Sequence, residues 1–496
     1  MNYRMISYIM GQILKVVGLF MLLPILVGFI YGEDHVVASF GIPFLITMAI
    51  AIIFTIKKPK NNSVFSMEGF VSVAASWVTM SCIGALPFVI SGEIPDYPSA
   101  LFETVSGFTT TGATILEDVE AMSRSCLFWR AFTHWLGGMG VLMFVLAIMS
   151  SNDSRTMHMM RAECAGPKVG RLVSKSRFSA RILYGIYITL TVSEAVLLLC
   201  GGMPLYDAVI HACSSAGTGG FSIWGDSIGH YNSVYIEMVV AIFIILFGVN
   251  FNLYYYLIIK KFSLATKNEE VRTYFGVIIA ATAIIAINVH KLYDGVGDTL
   301  RHTFFMVAST ITSAGFSTTD TAKWPVFSQT LLLMLMFVGS CAGSTGGGMK
   351  VSRLILLLKS SLREILSIVH PRGVNLVKLD KKKVGDDVVR GTISYFILLI
   401  LIYVFSVLLI TFDEFDIDTS LTAVAATMNN IGPGLGLVGP TGNYALFSPL
   451  SKIVLIFDML AGRLELFPML VLLSPQTWKG GLNVIKRRFL WKRKSM

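Results

Sequence analysis

The chain has 496 residues, of which 54% are hydrophobic and 14% charged, with a formal net charge of +10. A soluble protein carries about 25% charged residues, so the composition excludes an ordinary soluble domain. The basic excess is divided among separate loops, which excludes a nucleic-acid-binding patch as its explanation.

Ten apolar blocks lie near residues 13–31, 38–56, 69–90, 127–149, 181–201, 234–259, 274–289, 329–358, 391–411 and 450–473. About 20 apolar residues cross a bilayer as a helix, so the chain reads as an all-α polytopic membrane protein with ten spans. The first block reads as a retained helix, because no small-residue cleavage site follows it and further blocks do. Basic residues collect at Lys57-Lys58-Pro59-Lys60, 168–181, 260–272, 350–383 and 486–494; acidic residues collect between them at Glu33-Asp34, 93–96, 117–120 and 413–418. This positive-inside alternation places both termini in the cytoplasm. It leaves the basic tail beside anionic lipid headgroups.

Six cysteines occur without a CxxC, and eight histidines without an HExxH. Neither a disulfide framework nor a zinc site is indicated. No paired-Asp or GxSG motif lies within a span, so the chain does not read as an intramembrane enzyme.

Four gaps on the acidic side share one design: "SALFETVSGFTTTGAT" (99–114), "LYDAVIHACSSAGTGGFS" (205–222), "DTLRHTFFMVASTITSAGFSTTD" (298–320) and "DTSLTAVAATMNNIGPGLG" (418–436). Each is a short amphipathic stretch followed by a glycine-containing polar one. Aligned on Gly112, Gly219, Gly315 and Gly432, they recur about every 100 residues, the mark of a repeated architecture. The expected division is two N-terminal transmembrane helices (1–62), then repeats at 63–155, 156–268, 269–385 and 386–496, the last with the basic tail. Ser99, Asp298 and Asp418 or Thr419 are expected caps of the short helices, with Pro204 and Asp207 opening the second.

Ten helical residues rise about 15 Å, half the hydrocarbon thickness. Each short helix therefore enters from outside, stops near the midplane and returns as irregular backbone. Such backbone must line a water- or ion-filled cavity, and four copies around one pseudo-fourfold axis make a pore. Its lining is expected from the carbonyls of Thr110, Thr111 and Gly112; Gly217, Thr218 and Gly219; Ser313, Ala314 and Gly315; and Asn430, Ile431 and Gly432. Carbonyl oxygens can replace the water around a cation, and the C-terminal ends of the short helices favour positive charge. Glu103 is expected to brace the first return loop.

"SGFTTTGAT", "SSAGTGGFS", "TSAGFSTTD" and "NNIGPGLG" resemble the four selectivity-filter segments of the Trk/Ktr/HKT potassium transporter superfamily, most closely its bacterial Trk membrane subunits. The resemblance covers nearly the whole chain, including the two extra N-terminal spans. It implies four membrane–pore–membrane repeats, K⁺ as the transported ion, a location in the bacterial inner membrane and a homodimer. It also implies a nucleotide-binding, TrkA-like cytoplasmic subunit, for which the basic inner loops, especially 360–388, offer a docking surface. In this superfamily glycine at all four filter positions accompanies potassium preference. The chain departs from its relatives at Ala216-Gly217-Thr218, where they carry bulkier apolar residues.

"VGSCAGSTGGGMKVSR" (338–353) interrupts the eighth apolar block. It is not a phosphate-binding loop, since Met349 separates Gly348 from Lys350 and the flanks are apolar. The span must break in mid-membrane with its free backbone facing the cavity. The stretch matches the family's intramembrane gating loop, with Gly343, Gly346, Gly347 and Gly348 as hinges. Lys350 is expected either to set an electrostatic barrier or to snorkel to the inner interface. The resemblance places Arg463 near this loop, with Asp458 and Glu465 as its expected partners. The alternative function is an ion-coupled secondary transporter, a K⁺/H⁺ or K⁺/Na⁺ symporter with broken helices; that design predicts two inverted repeats rather than four parallel ones.

Overall fold

The computed structural model describes residues 1–57, 59, 66–140, 176–373 and 375–478. The basic tail 486–494, most of the basic run 168–181, and the end of the expected span 127–149 lie outside the described residues.

Two helical segments open the chain, Tyr3–Phe20 continuing as Leu22–Tyr31 and the antiparallel Val36–Thr55. They approach closely because glycine stands where they cross: a β-carbon on Gly11 would lie 2.7 Å from Thr55 Cγ2, and one on Gly18 3.2 Å from Thr47 Cγ2. Small residues at crossings are how helices associate in lipid, where apolar burial gives no preference between lipid and protein. The pair leans on Ser66–Gly84.

The rest falls into four quarters, each with an outer helix, a short helix and an inner helix. In the first these are Ser66–Gly84, Tyr97–Phe108 and Arg124–Gly138. In the second they are Ser176–Cys200, Leu205–Gly217 and Val234–Phe247, the last resuming as Phe251–Ile258. The third has Glu269–Val289, Val296–Ile311 and Val326–Val338, resuming as Val351–Val369. The fourth has Asp386–Ile410, Ile417–Met428 and Pro449–Arg463, resuming as Phe467–Leu473.

Each short helix packs between the outer and inner helices of its own quarter, and each inner helix also packs on the short helix of the next quarter. The fourth inner helix packs on the first short helix, so the circle closes. Large buried rings fill the first quarter's wedge: Trp129 donates to the Gly84 carbonyl at 3.1 Å and meets Phe40 and Phe108 edge-on.

Six helices are long and apolar enough to cross a membrane, or seven with the pair Val234–Phe247 and Phe251–Ile258, which bends by 91°. Of the expected spans, 450–473 is not one unbroken apolar helix, 329–358 is broken at 339–350 as expected, and the described part of 127–149 is helical as far as Gly138. Their interiors contain Gly137-Gly138, the glycines of 339–348 and Gly462, and glycine weakens a helix interior by up to about 1 kcal/mol. The second short helix opens after Pro204 with Asp207 in its first turn, as expected, but the other three begin earlier than their expected caps. Asp96 accepts from the Ser99 amide and Asp416 from the Thr419 amide, while Gly295 precedes the third helix.

Candidate functional site

The four short helices end in one and the same turn. The amides of Thr111, Gly219, Ala314 and Ile431 reach back five residues, to the carbonyls of Ser106, Ser214, Ser309 and Ala426, at 2.8–3.0 Å. The preceding amides reach back three residues. This is a Schellman ending, which requires a left-handed residue at its corner. That residue is Thr110, Thr218, Ser313 or Asn430, with φ of 55°, 54°, 58° and 55°. None is glycine, and each left-handed non-glycine costs roughly 1 kcal/mol. Such strain persists only where the surroundings fix it.

Two residues further on stands a glycine, again with positive φ: Gly112 (81°), Gly220 (79°), Gly315 (73°) and Gly432 (91°). In the second turn the equivalent glycine is thus Gly220, one residue beyond the expected Gly219. Gly217 correspondingly falls outside the shared register, which is Thr218-Gly219-Gly220. Three glycines in "GTGG" hide this in the sequence. The other two serve packing: a β-carbon on Gly217 would lie 2.5 Å from the His134 carbonyl oxygen, and one on Gly219 would enter the His134 ring.

The glycines touch in a cycle. A β-carbon on Gly112 would collide with the Gly219 carbonyl, one on Gly220 with the Ala314 carbonyl, and one on Gly315 with the Ile431 carbonyl. On Gly432 it would lie 2.7 Å from the Thr111 carbonyl. Each turn thus abuts the carbonyl one residue before its neighbour's glycine. All four glycines line a single cavity of about 100 Å³, bounded further out by Glu117, Trp224 and residues 438–444.

Thr111, Gly219, Ala314 and Ile431 are buried. Among the described residues, no protein hydrogen bond is seen at their carbonyl oxygens, nor at those of Gly112, Gly220 and Gly315. Buried carbonyls are nearly always hydrogen-bonded within the protein, so this ring of oxygens departs from the ordinary pattern. The Gly432 carbonyl differs, since it accepts from Tyr444 Oη at 2.8 Å. Among the described residues no group of three or more His, Cys, Asp or Glu side chains could hold a metal ion.

Side chains lock the return strands from behind. Glu103 accepts from Arg130 Nε at 2.5 Å, Thr114 Oγ1 at 3.0 Å and the Ile115 amide at 3.0 Å. Arg130 also donates to the Ser222 carbonyl at 2.9 Å and covers the Phe221 ring, joining the first two quarters. Glu103 therefore braces its loop. Arg130, its partner, carried no sequence signal beyond being a charge in an apolar stretch. Asn430 Nδ2 reaches Thr111 Oγ1 at 3.0 Å, joining the fourth quarter to the first.

The stretch 339–350 sits on the other end of the ring. The Gly347 amide donates to Ser313 Oγ at 2.5 Å, and a β-carbon on Gly347 would enter the Asn429 carbonyl. Gly346 lies against Ser340 and the Thr312 carbonyl. Of the four expected hinges, Gly343 and Gly348 have positive φ, whereas Gly346 and Gly347 are needed for close approach. Lys350 is buried, and its Nζ turns back to the Gly346 and Gly347 carbonyls rather than out to an interface. Arg463 donates to the Thr345 carbonyl and to the Gly137 and Gly138 carbonyls, all at 2.6 Å. Its expected partners are engaged elsewhere: Asp458 accepts from Ser406 Oγ at 2.8 Å, and Glu465 pairs with Arg353 at 2.5 Å.

A helical membrane bundle closed around a ring of backbone oxygens is the architecture of a cation transport protein. The profile of the TrkH family, described as a cation transport protein, matches residues 40–479, and the chain belongs to that family. The Trk system potassium uptake protein TrkH of Salmonella typhimurium is 36% identical over 486 residues, covering 97% of this chain and 100% of that protein. The Trk system potassium uptake protein TrkG of Escherichia coli is 32% identical, covering 96% and 99%. The crystal structure of the potassium transporter TrkH from Vibrio parahaemolyticus superimposes with a TM-score of 0.86 at 31% identity, over 96% of this chain and 100% of that one.

Proposed function

We propose that the chain takes up potassium across the bacterial inner membrane through a channel-like pore along the axis of the four turns. The observation that carries this reading is the closed cycle of glycine-to-carbonyl contacts. A cation at its centre would be met from four sides by oxygens that have no other protein partner among the described residues. Carbonyls in such a ring replace the ion's hydration shell, and the short helices direct their partly negative ends toward the same point. The names of the relatives, potassium uptake proteins, give the ion. The lining comes from Thr110, Thr111 and Gly112; Thr218, Gly219 and Gly220; Ser313, Ala314 and Gly315; and Asn430 and Ile431. The Gly432 carbonyl already accepts from Tyr444 Oη.

The loop 339–350 is the gate in this reading. Lys350 and Arg463 hold it closed across the path, and its release opens the pore. The four quarters follow one another in the same sense around the ring, which favours a pore over a symporter built from two inverted repeats. The ten spans, the cytoplasmic termini, the homodimer and the TrkA-like nucleotide-binding subunit complete the proposal.

The test is growth of a bacterium lacking its own potassium uptake on limiting K⁺, with and without the regulatory subunit. Rescue by the chain supports the reading; failure of correctly inserted protein to rescue under either condition contradicts it. Gly112→Ser is expected to lower the preference for K⁺ over Na⁺ in reversal-potential measurements.

A further inference from the structure

The tethers of the gating loop do not all come from the pore. Glu270 stands near the start of the third outer helix and is buried. One of its carboxylate oxygens, Oε1, accepts the Ala342 amide at 2.7 Å and the Ser352 amide at 3.1 Å. Ala342 lies early in the loop, and Ser352 is the second residue of the helix that follows it. One oxygen thus pins both ends of the loop.

The preceding residue, Glu269, serves a different structure. Its carboxylate pairs with Lys359 and accepts the Asp380 amide at 3.3 Å, while the Glu269 amide donates to Asp380 Oδ1 at 2.7 Å. Lys359 Nζ also reaches the Lys378 carbonyl at 2.9 Å. Asp380 and Lys381 form the corner of a two-stranded hairpin in which Lys378 pairs with Lys383 and Leu379 with Lys382. Both corner residues have positive φ, 50° and 64°, as a tight two-residue hairpin turn requires. The hairpin exposes Lys378, Lys381, Lys382 and Lys383, and its base is anchored by Val377 and Val384, which are buried with Leu356 and Val389.

We propose that Glu270 is a positioning residue of the gate, and that the Glu269–Glu270 pair couples the hairpin 378–383 to the loop 339–350. This rests on the gating reading of that loop. Moving the hairpin moves Asp380, which is bonded to the helix start through Asn268 and through both the amide and the carboxylate of Glu269. The next residue along then carries that displacement to the amides of Ala342 and Ser352. Charge-assisted hydrogen bonds of this kind are stronger than neutral ones, so the resting arrangement is held until the hairpin is displaced.

The test measures ⁸⁶Rb⁺ uptake into proteoliposomes and amide hydrogen exchange over 339–352, using the full chain. Glu270→Ala is expected to raise basal uptake about tenfold, as the loss of hydrogen bonds to a charged group implies, and to accelerate exchange. Glu270→Gln keeps a neutral acceptor and should do both to a smaller extent; it serves as the reporter should the alanine variant not insert. Asp380→Ala should raise uptake in the wild-type background and add nothing in Glu270→Ala, because interactions in one chain of contacts are not additive. Deletion of 346–348 reports on the gate itself. If that deletion raises uptake while both Glu270 variants match wild type in flux and exchange, the positioning role is overturned. Full additivity of Asp380→Ala with Glu270→Ala overturns the coupling. If the deletion leaves uptake unchanged, it is the gating reading that fails.

Discussion

The ring of four turns and the loop at 339–350 are built from the same residue types, glycine with serine and threonine, and they are held in opposite ways. Each turn is fixed by its own backbone hydrogen bonds, and each glycine bears on a neighbour's carbonyl. No turn can shift without the next one shifting. The loop instead hangs on side chains from elsewhere: Ser313, Glu270, Arg463 and its own Lys350. It also rests on the second inner helix's break, where Cys341 and Thr345 donate to the Gly248 and Phe247 carbonyls at 3.0 and 3.3 Å. The inner helices of the second and fourth quarters break over only 248–250 and 464–466. The long loop is therefore an enlargement of a break that the second and fourth quarters also carry. Under the proposed function, discrimination between ions would fall to backbone that cannot relax, and opening to tethers that can be released.

The sharpest way to break this contrast is within the ring. Gly220→Ala forces a β-carbon into the Ala314 carbonyl at a left-handed position. The K⁺ over Na⁺ permeability ratio from reversal potentials is expected to fall by about tenfold or more. Gly219→Ala meets the His134 ring first, so it should be rescued by His134→Ser, whereas Gly220→Ala should not.

Next in size, Arg130→Met leaves Glu103 charged, buried and without its cation. Such a loss typically costs about 3–5 kcal/mol, read as a lower thermal midpoint in detergent. Adding Glu103→Gln should restore part of it.

Arg463→Met removes the tethers to Thr345, Gly137 and Gly138. Basal ⁸⁶Rb⁺ flux should rise by about tenfold, the yield of one or two lost charged hydrogen bonds, with the permeability ratio unchanged. A changed ratio would erase the division between ring and loop. The smallest effect is expected from Tyr444→Phe, which frees the Gly432 carbonyl. A neutral hydrogen bond is worth about 1 kcal/mol, so the ratio should move by a few-fold at most, measured in the same reversal-potential assay.

Hydropathy made the outer helices legible, because helices that face lipid are apolar over most of their surface. It misread the second and fourth inner helices as continuous, whereas the break of the third at 339–350 was legible from its glycines. The breaks after Phe247 and Arg463 lie inside apolar runs, and contact with the short helices decides where the helix ends. A β-carbon on Gly462, for example, would enter the Met428 carbonyl. The four polar segments were visible as a set, since their order of short helix and glycine repeats. The register of the second was not, because dihedral preference and packing both select glycine and the sequence does not separate them. Asp96 and Asp416 are caps of ordinary type, displaced from the expected ones by Pro98 and by Asp418 standing just inside their helices. The tethers of the loop were the least visible, for they join residues such as Glu270 and Ala342 that only the closed circle brings together.

Anomalous diffraction from crystals of the full chain grown in rubidium tests the central claim most directly. The account predicts an anomalous peak on the axis, among the carbonyls of Thr111, Gly219, Ala314 and Ile431. A map with rubidium peaks elsewhere on the protein and none among those four carbonyls would contradict it.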